Sequence, residues 1–238
     1  MTEILFDAEQ IVRRLGRMRE VPVRAELTRR LEERLGEVKG AYTKVLRVAH
    51  EDFTAEPETY DAVLVDMLLP TMEDVPVFLY RCLQALRPDG VLLATTLGAE
   101  SFREFRAAWH ELGHVVPLTD VQEAGALLQK LKVALPVVDR DLLTVTFADF
   151  GKMYESLRDH GAGNFSVKRA KGLTGKERFA AMQVAYAEMF RRSDGRLPLT
   201  LEILYLHGFK PAAHQPTAAK RGSGKVSLVR IVGNSESR

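Results

Sequence analysis

The apolar positions of this chain switch between two periods, and the switches mark its elements. Tyr60-Asp61-Ala62-Val63-Leu64-Val65-Asp66 is a near-continuous apolar run of strand length, which predicts a buried strand. From Asp74 to Leu86 the period lengthens: Val75, Phe78, Leu79, Cys82 and Leu86 recur at helical spacing, with Glu73 or Asp74 as N-cap. Arg87-Pro88-Asp89-Gly90 then reads as a turn and Val91 to Leu97 as a second strand, which completes one βαβ unit of a parallel sheet. A nucleotide-binding sheet of this kind carries an earlier strand ending in a G-x-G turn, because only glycine lets the backbone approach a ligand so closely at a helix N-terminus. No such turn occurs before residue 60.

The same reading extends along the chain. Residues 8 to 19 and 24 to 38 form two basic amphipathic helices, the second with Leu27, Leu31, Leu35 and Val38 on one stripe. Lys44 to Val48 is a short strand, and His50 to Thr59 an acidic loop. Beyond Leu97 a helix runs from Glu100 to Leu112 and another from Asp120 to Lys132. Leu135 to Asp139, Leu142 to Phe147 and Leu199 to His207 alternate as strands. Between the last two lie helices Phe150 to Asp159 and Lys176 to Arg191, the latter with Phe179, Met182, Tyr186, Met189 and Phe190 inward, predicting a lid or subdomain beside the sheet. Past Pro211 the chain is rich in Pro, Ala, Gly and Lys and regains a strand-like run only at Val226 to Val232.

Composition changes this picture little. At 238 residues and 46% hydrophobic content the chain can bury a sizeable core. The single cysteine, Cys82, excludes a disulfide framework and a cysteine-based metal site. Acidic residues near Met1 and the lack of a long apolar run predict no signal peptide, no membrane span and a cytoplasmic location. The charge is uneven: residues 209–238 hold six basic side chains and one acidic. Such a tail could touch RNA, anionic lipid or an acidic partner, but without interleaved aromatics for base stacking simple solvation suits it better and nucleic acid is not expected.

Several segments carry a family resemblance. They are Leu83-Gln84-Ala85-Leu86-Arg87-Pro88-Asp89-Gly90, Leu97-Gly98-Ala99-Glu100-Ser101-Phe102-Arg103-Glu104-Phe105-Arg106, Asp141 to Val145, Leu157 to Asn164, Asp194 to Thr200, and Gly208-Phe209-Lys210-Pro211 with Gln215-Pro216 and Arg221-Gly222-Ser223. In this order they resemble the class I S-adenosylmethionine-dependent methyltransferase superfamily, type 11. The closer likeness is to the branch with malonyl-ACP methyltransferase-like bacterial proteins and the mitochondrial complex I assembly factor. The resemblance implies an α/β fold, a truncated Rossmann-like class I methyltransferase sheet with a helical insertion at about 149–193. It divides the chain into a helical segment 1–40, an α/β domain 41–208 and a basic extension 209–238. Two family features are missing. Arg29 to Val38 runs almost directly into Glu51-Asp52-Phe53 where the branch has a DLGxGxG strand and turn, and Leu69-Pro70-Thr71-Met72 stands where it has a His-Trp pair. The resemblance therefore implies a protein degenerate in binding S-adenosylmethionine that works by binding protein, as a respiratory-complex assembly factor or the partner of a full-length paralogue. The alternative is an active methyltransferase with an altered or partner-completed pocket.

Candidate site residues follow from position. Asp66, with Met67 beside it, lies at the carboxyl end of the core strand, where open α/β sheets bind ligands, so the pair are cofactor candidates; otherwise Asp66 caps or hydrates the strand end, the plainer reading. Glu100 and Arg106, a turn and a half apart on one helix, face a substrate or partner, or else each other or solvent. Asn164 between Gly161 and Gly163 lines the pocket mouth or makes a turn. His114, in a family turn, joins the substrate or partner group. His110-Glu111-Leu112-Gly113-His114 also matches H-E-x-x-H, with Asp120 as a third zinc ligand, but Gly113 and the following Val-Val-Pro end the helix at His114, so no metal is assigned. Gly222-Ser223-Gly224-Lys225 fails as a phosphate loop because Ala219 replaces its first glycine and Val226 its Ser/Thr.

Overall fold

A buried carboxylate starts the sheet. Asp61 accepts hydrogen bonds from the Thr43 N–H (2.8 Å), the Thr43 hydroxyl (2.8 Å) and the Lys44 N–H (2.9 Å), and pairs with the Arg87 guanidinium at 2.9 Å. It therefore joins the entries to three neighbouring strands. In the computed structural model, residues 22–109, 118–159 and 174–213 are described, together with positions 7, 9, 11, 115, 163, 164, 166, 167 and 172. Their elements are α1 (Pro22–Glu37), β1 (Val45–Val48), β2 (Tyr60–Val65), a 3-10 turn (Leu69–Thr71), α2 (Val75–Ala85), β3 (Leu86–Leu97), α3 (Arg103–Trp109), α4 (Val121–Lys130), β4 (Ala134–Phe147), α5 (Phe150–Asp159), α6 (Lys176–Phe190) and β5 (Leu197–Phe209).

The strands form one α/β sheet in the order β1-β2-β3-β5-β4. β1, β2 and β3 are parallel, whereas β5 runs antiparallel to both β3 and β4. Helices cover both faces, which is why the central strands read as unbroken apolar runs. Ala62, Leu64, Val91 and Leu93 face α1, α3, α5 and α6, while Val63, Val65, Leu92 and Ala94 face α2 and α4. Cys82, on the inner side of α2, is fully buried, and its thiol is pushed up to about 12 by desolvation. Asp74 caps α2 by accepting from the Val77 N–H at 3.0 Å. Among the described residues no helix is long and apolar enough to cross a membrane.

The structure corrects the sequence reading in several places. Arg87 to Gly90 lies within β3: Leu86 pairs with Tyr60, Val91 pairs with Ala62, and the residues between them bulge outward. Asp89 takes a left-handed φ of 64°, and a Cβ at Gly90 would lie 2.8 Å from the Arg87 carbonyl, so this bulge needs its glycine. The two strands expected at Leu135 to Asp139 and Leu142 to Phe147 are one, β4, because Arg140 and Asp141 find ion-pair partners and need no loop. The helix expected from Glu100 starts only at Arg103, after Phe102 adopts a left-handed φ of 58°. The two insertion helices lie beside the sheet, with Met153, Leu157, Met182 and Tyr186 buried in the same core as Leu27 and Leu31 of α1. Met189, expected inward, is 46% exposed. The expected helix 8–19 falls largely outside the described residues; Gly222 to Lys225 and Val226 to Val232 fall wholly outside them.

Asp61 yields the first prediction. Its carboxyl is held below the usual carboxylate range, foremost by the Lys44 N–H, with Thr43 and the Arg87 charge adding to it. A folded value below the unfolded one stabilises fully above the unfolded value of about 3.9, and this contribution disappears as the pH falls through the folded value. Asp61→Asn should cost about 2–4 kcal/mol in urea unfolding at pH 7 and flatten the loss of stability below about pH 4.

Candidate functional site

Asp66 is the first residue past β2, at the carboxyl ends of the parallel strands. Its Oδ2 accepts from the Thr28 hydroxyl of α1 at 2.5 Å, and its Oδ1 lies 3.1 Å from the Thr95 hydroxyl of β3. Thr95 also accepts the Met67 N–H at 2.7 Å. Met67 has a φ of 50°, a left-handed conformation uncommon for a residue with a side chain. The paired register of Val65 with Ala94 puts Thr95 level with this turn. Asp66 and Met67 are thus brought together, as a turn whose polar groups are bound by hydroxyls from two other elements.

Thr28 is held there by the packing of α1. Leu27 and Leu31 are buried under the sheet. Arg34 pairs with Asp139 at 2.7 Å and Asp141 at 3.3 Å, Arg30 pairs with Asp141 at 3.2 Å, and the Arg34 guanidinium lies 3.8 Å from the centre of the Tyr205 ring. These contacts fix the helix across β4 and β5.

A second polar network shapes the loop between β3 and α3. Buried Glu202 accepts from the Glu100 N–H at 2.8 Å and pairs with Arg140 at 3.4 Å. Ser101 Oγ donates to the Glu202 carbonyl and accepts its N–H, each at 3.0 Å. Buried Glu104 accepts the N–H of Thr200 at 2.9 Å and its hydroxyl at 2.5 Å, and pairs with Arg103 at 3.4 Å. A Cβ at Gly98 would lie 2.4 Å from Glu202 Oε2, so glycine is needed where the loop crosses this carboxylate.

The other expected site residues do not converge. Glu100 precedes α3 rather than lying on it; its side chain, 51% exposed, pairs with Arg103 at 3.5 Å. Arg106 instead donates to the Ala99 carbonyl at 2.6 Å. Asn164 Oδ1 accepts the Ser166 N–H at 2.8 Å, the geometry of an Asx-turn. Asp120 caps α4, accepting from the Gln122 N–H at 2.7 Å while Glu123 reaches back to its own N–H, so it serves a capping box. His114, with His110 and Glu111, lies outside the described residues. Among those described, no cluster of His, Cys, Asp and Glu could hold a metal ion. Sequence reasoning missed Thr28, Thr95, Glu104 and Glu202. The signal for Glu202 was present: a carboxylate inside the apolar run Leu199 to Leu206 must be paired once buried.

The chain matches known proteins in both sequence and fold. No family model matches it. It is 34% identical over 160 residues to a malonyl-acyl-carrier-protein O-methyltransferase of Xylella fastidiosa, covering 66% of this chain and 54% of that protein. It is 33% identical over 191 residues to the mitochondrial arginine-hydroxylase NDUFAF5 of Danio rerio, covering 76% of this chain and 59% of that protein. The chain thus spans between half and three-fifths of the length of these relatives. The crystal structure of a putative methyltransferase from Bacillus halodurans shares the fold, with a TM-score of 0.51 and 11% identity over 76% of this chain and 99% of that one. The chain belongs to the class I S-adenosylmethionine-dependent methyltransferase superfamily, in the branch that holds the malonyl-ACP O-methyltransferases and NDUFAF5. One relative is named for methyl transfer and the other for arginine hydroxylation, so membership alone does not fix the reaction.

The Gly98 contact gives a second prediction. Gly98→Ala must displace the Glu202 carboxylate from the Glu100 N–H, and should cost about 1–3 kcal/mol in denaturant unfolding.

Proposed function

We propose that this chain is a methyltransferase-family protein degenerate in cofactor binding, which acts by binding a protein, as a respiratory-complex assembly factor or as the partner of a full-length paralogue. The observation that carries this reading is the short passage from α1 to β1. Only residues 38–44 separate Glu37 from Val45. A βαβ unit with a glycine-rich phosphate or ribose turn needs about 30 residues. β1 instead pairs directly with β2, and Asp61 secures its entry. The loop after β3, by contrast, keeps a fully formed polar network around Glu104 and Glu202. Retention of this loop beside the loss of the glycine turn supports a working surface that does not depend on the cofactor.

A second reading is favoured by one observation. The left-handed turn at Met67, with Asp66 oriented by two hydroxyls, is the kind of conformational strain that structures keep at ligand sites. In this reading a partner chain supplies the absent glycine turn, and the pair transfers a methyl group from S-adenosylmethionine.

Calorimetric titration with S-adenosylmethionine separates the two. The isolated chain should give no binding heat up to millimolar ligand. Micromolar binding by the isolated chain would sink the degenerate reading, and binding beyond the one site that a full-length paralogue shows alone, once the two chains are mixed, would establish the shared pocket.

A further inference from the structure

The turn at the end of β2 is satisfied from within the chain. Its acid accepts from Thr28 and lies within hydrogen-bond reach of Thr95, and its first N–H donates to Thr95. Thr95 carries one proton and accepts from Met67, so its hydroxyl can donate to only one oxygen; Asp66 Oδ1 at 3.1 Å is nearer than the Val65 carbonyl at 3.4 Å. Asp66 Oδ2 thus depends for its hydrogen bond on α1. The 2.5 Å contact from Thr28 is at the short limit for a hydroxyl on a carboxylate. Any ligand hydroxyl or ammonium that used this oxygen would approach as the same kind of donor.

We propose that Thr28 is an internal occupant of the Asp66 site: α1 brings to the carboxyl end of β2 the donor that a bound cofactor would otherwise present. This rests on the reading that the chain has lost ordinary cofactor binding: the missing glycine turn leaves only a weak, millimolar hold, and Thr28 closes the acid that would provide it. The position of the hydroxyl is imposed by the fold. Leu27, next to Thr28, and Leu31, one turn on, are buried beneath β2 and β3, and Arg30 and Arg34 tie the same helix to Asp139 and Asp141. Removing the helix is therefore costly, whereas removing the contact costs one hydrogen bond. A helical threonine has a second rotamer in which the hydroxyl returns to a carbonyl of the preceding turn, so one side-chain rotation uncovers Asp66 while α1 stays in place. The closed turn is thus a switchable contact within an otherwise fixed helix.

Thermal unfolding with and without S-adenosylmethionine tests this. Thr28→Ala should melt below the wild type, and roughly 5 mM S-adenosylmethionine should raise its Tm by about 2 °C or more, because a ligand that binds only the folded state stabilises it. Wild type and Thr28→Ser, which keep the hydroxyl, should not respond. Asp66→Asn added to Thr28→Ala should abolish the response. Alanine favours the helix, so the variant is expected to fold; ligand-detected NMR on Thr28→Gly at low temperature repeats the measurement independently. If the folded Ala and Gly variants are as indifferent to ligand as the wild type, Thr28 is not the occluding group, and the proposed function stands without it. If the wild type binds at micromolar ligand and loses binding with Asp66→Asn, both the internal occupant and the degenerate reading are overturned.

Discussion

The buried carboxylate of Asp61 sets the level of the sheet, and the rest of the molecule is arranged from that level. It gathers two backbone N–H groups and a hydroxyl at the entry to β1, and a guanidinium from the bulge of β3, around one charge at the start of β2. Three parallel strands are thereby aligned at their amino ends. Their opposite ends are then aligned as well, so that Val65 stands beside Ala94 and the Thr95 hydroxyl meets Asp66 and Met67. A buried charge without these donors would be costly, and with them it fixes register where apolar packing alone allows slippage.

Over this frame, α1 is held by two interactions of different size. Burying a leucine is worth about 1.5–3 kcal/mol, so Leu27 and Leu31 carry most of its attachment. The ion pairs of Arg30 and Arg34 are partly exposed, and such pairs contribute only about 0.2–1 kcal/mol each. Their role is directional. They tie Arg30 and Arg34 of α1 to Asp139 and Asp141 of β4, and so help to hold Thr28 at the end of β2.

The fold was legible where one physical signal dominated. The run Tyr60 to Val65 and the helix Phe150–Asp159 stand as the pattern of apolar residues places them. The reading erred where tertiary partners overruled local signals. Arg140 and Asp141 look like a loop until Glu202 and the arginines of α1 pair with them. Phe102 takes a conformation usually reserved for glycine, so the start of α3 could not be placed from the sequence. Asp66 and Met67 were visible as candidates because strand ends are where such sheets bind ligands. Thr28 and Thr95 were not, because they lie 38 and 29 positions from Asp66 and meet it only through helix packing and strand register.

The place of β5 in the sheet bears on how the chain is made. β5 comes last among the described strands, yet it lies between β3 and β4 and is bonded to both. During synthesis from the amino end, β4 is therefore complete some 50 residues before the strand that joins it to β3. Until Phe209 has left the ribosome, β3 keeps an open edge and β4 has no partner strand, and β5 closes both gaps at once.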